Sequence, residues 1–186
     1  DGAITFIVME YLPGITLREL LNDFGALTSA QTVDIVKAVL LGLDAAHSAG
    51  IVHRDIKPDN LMLGVDDVVK ICDLGLATFS SQQREVSGSP HYIAPEQALG
   101  KDIDHRADLY ALGATLYRVL AGVPPFEING PQDLAGIFVN EPTPLLERRP
   151  DCPQGLAELI HALLSKEAGE RPLVRKLEAA FVAVSA

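Results

Sequence analysis

Eight consecutive residues, His53-Arg54-Asp55-Ile56-Lys57-Pro58-Asp59-Asn60, put two carboxylates, a carboxamide, an ammonium, a guanidinium and an imidazole into one polar loop. A further carboxylate follows in Asp73-Leu74-Gly75, and Ala94-Pro95-Glu96 comes later. A carboxylate can accept a proton or ligate a hard cation, a carboxamide oxygen can also ligate, and an ammonium is a point charge for an anion. Oxygen ligands of this kind suit Mg²⁺ and not a soft metal. Singly, each residue has an ordinary use. A loop Asp is commonly a turn former or helix cap, and a lone Lys is commonly a solvated charge. The weight lies in all three pieces occurring in one order.

The elements that must position these residues are legible in outline. Residues 3–9 are apolar and β-rich and read as a strand, broken at 10–14 by Pro13-Gly14. Residues 16–24 read as a short helix. Thr28 and Gln31 form a capping box for a longer one, whose Ile35, Val36, Val39, Leu40 and Leu43 recur at helical spacing until Gly50. Residues 51–52, 61–63 and 68–72 are short strand-like pieces, with a hairpin turn at Asp66-Asp67. Residues 76–93 lack periodicity and read as a loop. Helices are then expected near 105–121, 131–139, 154–164 and 172–184, with Pro-rich connectors at 142–153.

The chain of 186 residues fits one domain and is long enough to bury a sizeable core. Its formal net charge is −10, which argues against a nucleic-acid partner because no basic surplus exists to displace counterions. Cys72 and Cys152 give neither a disulfide framework nor a zinc site, so a reducing, cytoplasmic setting is the default. The best membrane candidate, 109–126, contains Arg118 and ends in Pro124-Pro125, and reads better as a buried core helix. A membrane anchor of a parent protein would lie outside these residues. The chain begins at Asp1 without Met, which suggests a fragment of something longer.

Taken together, the three pieces resemble the catalytic loop, metal-binding loop and activation-segment end of a Hanks-type serine/threonine protein kinase. The wording Asp-Ile-Lys-Pro-Asp-Asn and the short segment from Asp73 to Glu96 are similar to bacterial members. The resemblance implies ATP and Mg²⁺ as cofactors and a protein Ser or Thr hydroxyl as acceptor. It implies Asp55 as proton acceptor, Lys57 as the charge on the transferring phosphoryl group, and Asn60 and Asp73 as metal ligands. Lys57 in this place also favours Ser/Thr over Tyr acceptors. Residues 3–14 resemble the segment joining two kinase lobes. Met9 would then lie at the back of an adenine pocket, with backbone of Glu10 and Leu12 on the adenine edge and Met62 as its floor. Core packing is the more frequent fate of Met.

Other matching positions read as supports. His53 would pack beneath the metal-binding loop beside Leu74. Asp108 would accept hydrogen bonds from catalytic-loop amides, and Glu96 would pair with Arg171. Arg54 would pair with a phosphate on Ser80, Ser81 or Ser87. Asp59 reads equally as a loop cap or as a docking charge for a basic substrate residue. Two positions depart from the commoner pattern. Leu74 stands where Phe is usual, and Ser89 stands where Thr is usual while keeping the hydroxyl.

A Gly-rich phosphate loop and a strand Lys paired to a helix Glu also belong to such a site. No G-x-G occurs here, and no Lys precedes Lys37. The expected fold is therefore α+β and mainly α, a kinase-like large lobe with the small lobe absent. Residues 1–186 would be a partial catalytic domain, with 1–14 as terminal strand and hinge and 15–186 as helical lobe. Three readings follow: a piece of a competent kinase whose missing lobe lies in the parent protein, a stand-alone or pseudokinase lobe that binds proteins, and a non-kinase helical protein. Alone, the chain is expected to bind ATP weakly and to show negligible transfer, since half of the phosphate clamp is missing.

Overall fold

The computed structural model describes residues 8–65, 68–73, 90–174, 176–177 and 180–181. Expectations for 3–7, Asp66-Asp67, Leu74, Gly75, Ser80, Ser81, Ser87 and Ser89 lie outside the described residues.

Strand β1 (Gly14–Thr16) leads directly into helix α1 (Leu17–Phe24). Thr16 caps α1, its hydroxyl accepting from Glu19 N–H while the Glu19 carboxylate accepts from Thr16 N–H. Helix α2 (Ser29–Ser48) starts with the same device at Thr28 and Gln31. Its buried Val33, Val36, Leu40 and Leu43 face the core. A polar loop and a 3₁₀ turn (Pro58–Asn60) then enter β2 (Leu61–Gly64), which pairs antiparallel with β1 and with β3 (Val69–Ile71). The register sets Met62 opposite Thr16 and Lys70, and Leu61 opposite Ile71. Alternation then decides the faces: Leu61, Leu63, Val69 and Ile71 turn to the core, and Met62 and Lys70 to the other side.

A 3₁₀ turn (Pro90–Tyr92) and the short α3 (Pro95–Ala98) precede α4 (Arg106–Ala121), the central helix. Thirteen of its sixteen residues are buried, which is why its apolar character runs all round. Helix α7 (Gln154–Leu163) crosses it at Gly113, where an added Cβ would sit 2.7 Å from Leu163 Cβ. Between them lie a 3₁₀ turn (Pro131–Ala135), α5 (Gly136–Val139) and α6 (Leu145–Arg148). Val174, Leu177 and Phe181 complete the core.

Three expectations are corrected. Val8 and Met9 belong to no strand and are 84% and 63% exposed. A strand follows the Pro13-Gly14 break, at Gly14–Thr16, because Gly14 adopts φ 147° and packs directly against Leu63 O, where a Cβ would clash. Residues 51–52 pair with no strand. The helix expected over 131–139 is formed, with its first residues as a 3₁₀ turn and its start capped by the Asp133 carboxylate, which accepts from the N–H groups of Asn129 and Gly130. The connector 142–153 contains α6, anchored by the buried Leu145.

Candidate active site

The loop between α2 and β2 hangs on one buried carboxylate. Asp108, in the first turn of α4 and fully buried, accepts from His53 N–H at 2.9 Å, Arg54 N–H at 2.7 Å and His47 Nε2 at 2.8 Å. Between these anchors Arg54 takes a left-handed conformation, φ 67°, uncommon for a residue with a Cβ. Gln97 Nε2 donates to Arg54 O at 3.0 Å and ties the loop to α3.

His53, buried, bridges two loops. Its Nδ1 accepts from Asp55 N–H at 3.2 Å, and its Nε2 donates to Cys72 O at 2.7 Å. Those two bonds fix the Nε2–H tautomer. Cys72 N–H in turn donates to Asn60 O at 2.8 Å. The first loop is thus stitched on both sides to the residue preceding Asp73, which is exposed and has φ 60°. Burial, with Asp73 and Glu10 nearby, pushes the Cys72 thiol up, so it is no nucleophile.

Asp55, Lys57 and Asn60 converge. Asp55 Oδ2 accepts from Lys57 Nζ at 2.6 Å and from Asn60 Nδ2 at 3.0 Å. Asn60 Nδ2 also donates to Asp55 O at 2.8 Å. Both amide hydrogens of Asn60 are therefore committed to Asp55, and its oxygen is what it can offer a cation. Among the described residues no donor meets Asp55 Oδ1, on a side chain one-third exposed.

Asp59 is not open to a substrate charge. Arg18 of α1 donates to it through Nε at 3.2 Å and Nη2 at 3.1 Å. Burial alone would raise Asp59, but the Arg18 hydrogen bond and charge, aided by Lys57, hold it below the usual carboxylate range. Arg18 also reaches Tyr92 Oη at 3.4 Å.

Glu10, Leu12 and Met62 line one cavity of about 160 Å³, with Lys70 paired to Glu10 at 2.7 Å. Met9 does not line it. The volume is below that of ordinary ligand pockets.

The supports are formed. Arg171, buried, donates to Glu96 at 2.6 and 2.8 Å, and to the carbonyls of Ser165, Arg106 and Lys166. Its guanidinium also lies 5.0 Å from the Tyr110 ring, whose hydroxyl burial pushes far up. Sequence reading missed Gln97, His47 and Arg18. Gln97 directly follows Ala94-Pro95-Glu96, but nothing in spacing tells which carbonyl it reaches.

A carboxylate held by a lysine and an amide, on a loop clipped to a second acid-bearing loop, is the arrangement expected of a phosphoryl-transfer site. The comparisons agree. The protein kinase domain family matches residues 2–180, and the chain belongs to it. It is similar to the serine/threonine-protein kinase Pkn3 of Myxococcus xanthus, at 39% identity over 92% of this chain and 34% of that protein. It is also similar to PknB of Mycobacterium tuberculosis, at 35% identity over 92% of this chain and 28% of that protein. The chain thus spans about a third or less of the length of these curated relatives. Among the described residues, no helix is long and apolar enough to cross a membrane.

Proposed function

We propose that these residues act as the large lobe of a serine/threonine protein kinase, moving the γ-phosphate of ATP to a protein Ser or Thr hydroxyl. The observation that carries this is the triple convergence of Lys57 and Asn60 on Asp55, beside the Cys72–Asp73 strand end. Bound ATP with Mg²⁺ supplies the phosphoryl group and the charge neutralisation at phosphate. The donor set fits it. Asn60 Oδ1 and the Asp73 carboxylate are hard oxygen ligands, and Mg²⁺ is commonly held by one or two such groups plus phosphates. Among the described residues no group of three or more His, Cys, Asp or Glu could hold a metal alone, which suits that shared arrangement.

Asp55 Oδ1 would take the proton of the incoming hydroxyl while that oxygen bonds to the γ-phosphorus and the bond to the β-phosphate oxygen breaks, leaving ADP. Lys57 fixes Oδ2 and keeps a positive charge beside the transferred group. His53 and Asp108 hold the loop's backbone. Glu10, Leu12 and Met62, which line one cavity, would form the wall that takes the adenine. The acceptor is a protein segment, and the setting is the cytoplasm.

The test is Asp55→Asn in the full-length protein. Transfer to a generic Ser/Thr substrate should fall about a hundredfold or more, while nucleotide binding by fluorescence titration holds. Transfer at the wild-type rate in the variant would remove the assignment.

A further inference from the structure

Asp55 owes its direction to the peptide bond that precedes it, and each polar backbone atom around that bond is held. Arg54 N–H donates to Asp108 at 2.7 Å, and Asp55 N–H donates to His53 Nδ1 at 3.2 Å. The remaining atom, Arg54 O, accepts from Gln97 Nε2 at 3.0 Å, across 43 residues of sequence. Gln97 belongs to α3, and its other end is also used. Its Oε1 accepts from Ala94 N–H at 3.2 Å, an amide left open where α3 begins. A carbonyl to donate to on one side and an N–H to accept from on the other fix which way the carboxamide faces. Helix α3 is itself anchored, because the neighbouring Glu96 pairs with the buried Arg171. Gln97 therefore joins a fixed helix to a strained residue, since Arg54 keeps φ 67°.

Few side chains can do both jobs. A carboxylate can accept from Ala94 N–H but sets a second acceptor against Arg54 O. A lysine can donate but not accept, and a methionine of similar length does neither. Without the Gln97 bond the carbonyl of a left-handed residue is free to turn, and the whole peptide plane turns with it. We propose that Gln97 is a positioning residue for phosphoryl transfer. Its carboxamide, braced on Ala94 N–H, holds Arg54 O and so sets the direction from which Asp55 meets the acceptor hydroxyl. This rests on the kinase reading above. Gln97 acts through the peptide between Arg54 and Asp55, and not on the reacting atoms.

The experiment measures kcat and KM of the full-length protein for ATP with a generic Ser/Thr substrate. Each kcat is expressed per nucleotide-binding site titrated in the same sample, so unfolded enzyme does not count. Gln97→Met should lower kcat by about ten- to a hundredfold, the cost of moving a catalytic group by up to about 1 Å, and leave KM for ATP within about twofold. Gln97→Glu supplies a readout that a merely structural role would not move. Ionised, the new carboxyl group repels Arg54 O. Protonated, its O–H donates to Arg54 O while its C=O still accepts from Ala94 N–H. The kcat of this variant relative to wild type should therefore rise about threefold or more as pH falls from about 8 to about 5.5, while the same ratio for Gln97→Met stays flat. The charged and titratable groups around this bond are Arg54, Asp55, His53, Asp108, Glu96 and Arg171, which both enzymes carry, so the ratio divides them out. Gln97→Met at the wild-type kcat, a loss that falls on KM for ATP instead, or a Gln97→Glu ratio flat with pH overturns the proposal and leaves the kinase reading standing. Absence of transfer by the wild type with ATP and Mg²⁺ supplied sinks that reading and this proposal with it.

Discussion

Replacing Asp108 by Asn tests the reasoning most directly, because the substitution keeps shape and removes one acceptor. Asp108 has two oxygens for three donors: Oδ1 takes Arg54 N–H, and Oδ2 takes His53 N–H and His47 Nε2. An amide oxygen left on Arg54 would set its NH₂ against two donors. Rotated by half a turn, it would keep both histidine bonds and orphan only the Arg54 N–H. The second orientation wins, since it leaves one buried donor unmet, at about 1–3 kcal/mol. The two surviving bonds lose their charge, adding about 1 kcal/mol together. The expected loss of stability is therefore about 2–4 kcal/mol, read as a shift in urea unfolding followed by circular dichroism. The orphaned N–H belongs to the residue held at φ 67°, so the peptide entering Asp55 relaxes. Displacement of about 1 Å at a catalytic group costs on the order of a hundredfold in rate. A variant losing less than about 1 kcal/mol and keeping its transfer rate would refute the claim that Asp108 holds the loop.

Three further outcomes follow from particular contacts. Glu96→Ala and Arg171→Ala should each destabilise strongly, and their double-mutant cycle should show coupling of about 2–3 kcal/mol, because the bidentate pair is buried and bonded to three carbonyls; coupling near zero would contradict that. The lowered Asp59 titration makes its bond to Arg18 a stabilising contact above the ordinary carboxylate range, lost as pH falls through and below about 4. Both groups are partly exposed, so the loss should stay below about 1 kcal/mol and vanish in Asp59→Asn, measured by unfolding across pH. Gly113→Ala gains about 1 kcal/mol of helix propensity, but its Cβ meets Leu163 at 2.7 Å. Overpacking at about 1–3 kcal/mol should win, lowering the melting temperature.

Short-range information was legible wherever it was complete within a few residues. The Thr28–Gln31 box, the period of α2, the all-round apolar α4 and the loop residues Asp55, Lys57 and Asn60 could be read directly, because capping and helical faces depend on neighbours in sequence. Where a local signal met a long-range contact, the reading failed. Gly14 looked like a breaker, and only the approach of Leu63 O from the next strand makes it the start of one.

The sequence by itself determined the chemical inventory of the site, its order, and the helices that surround it, since residue type and local spacing are written in the chain. Only the tertiary structure decided who holds whom. Asp108 supports the loop from 54 residues away, and Arg18 claims Asp59 from 41 away. The reason is physical: a buried polar group must find its partner wherever packing brings one, and that choice depends on the fold and not on distance along the chain.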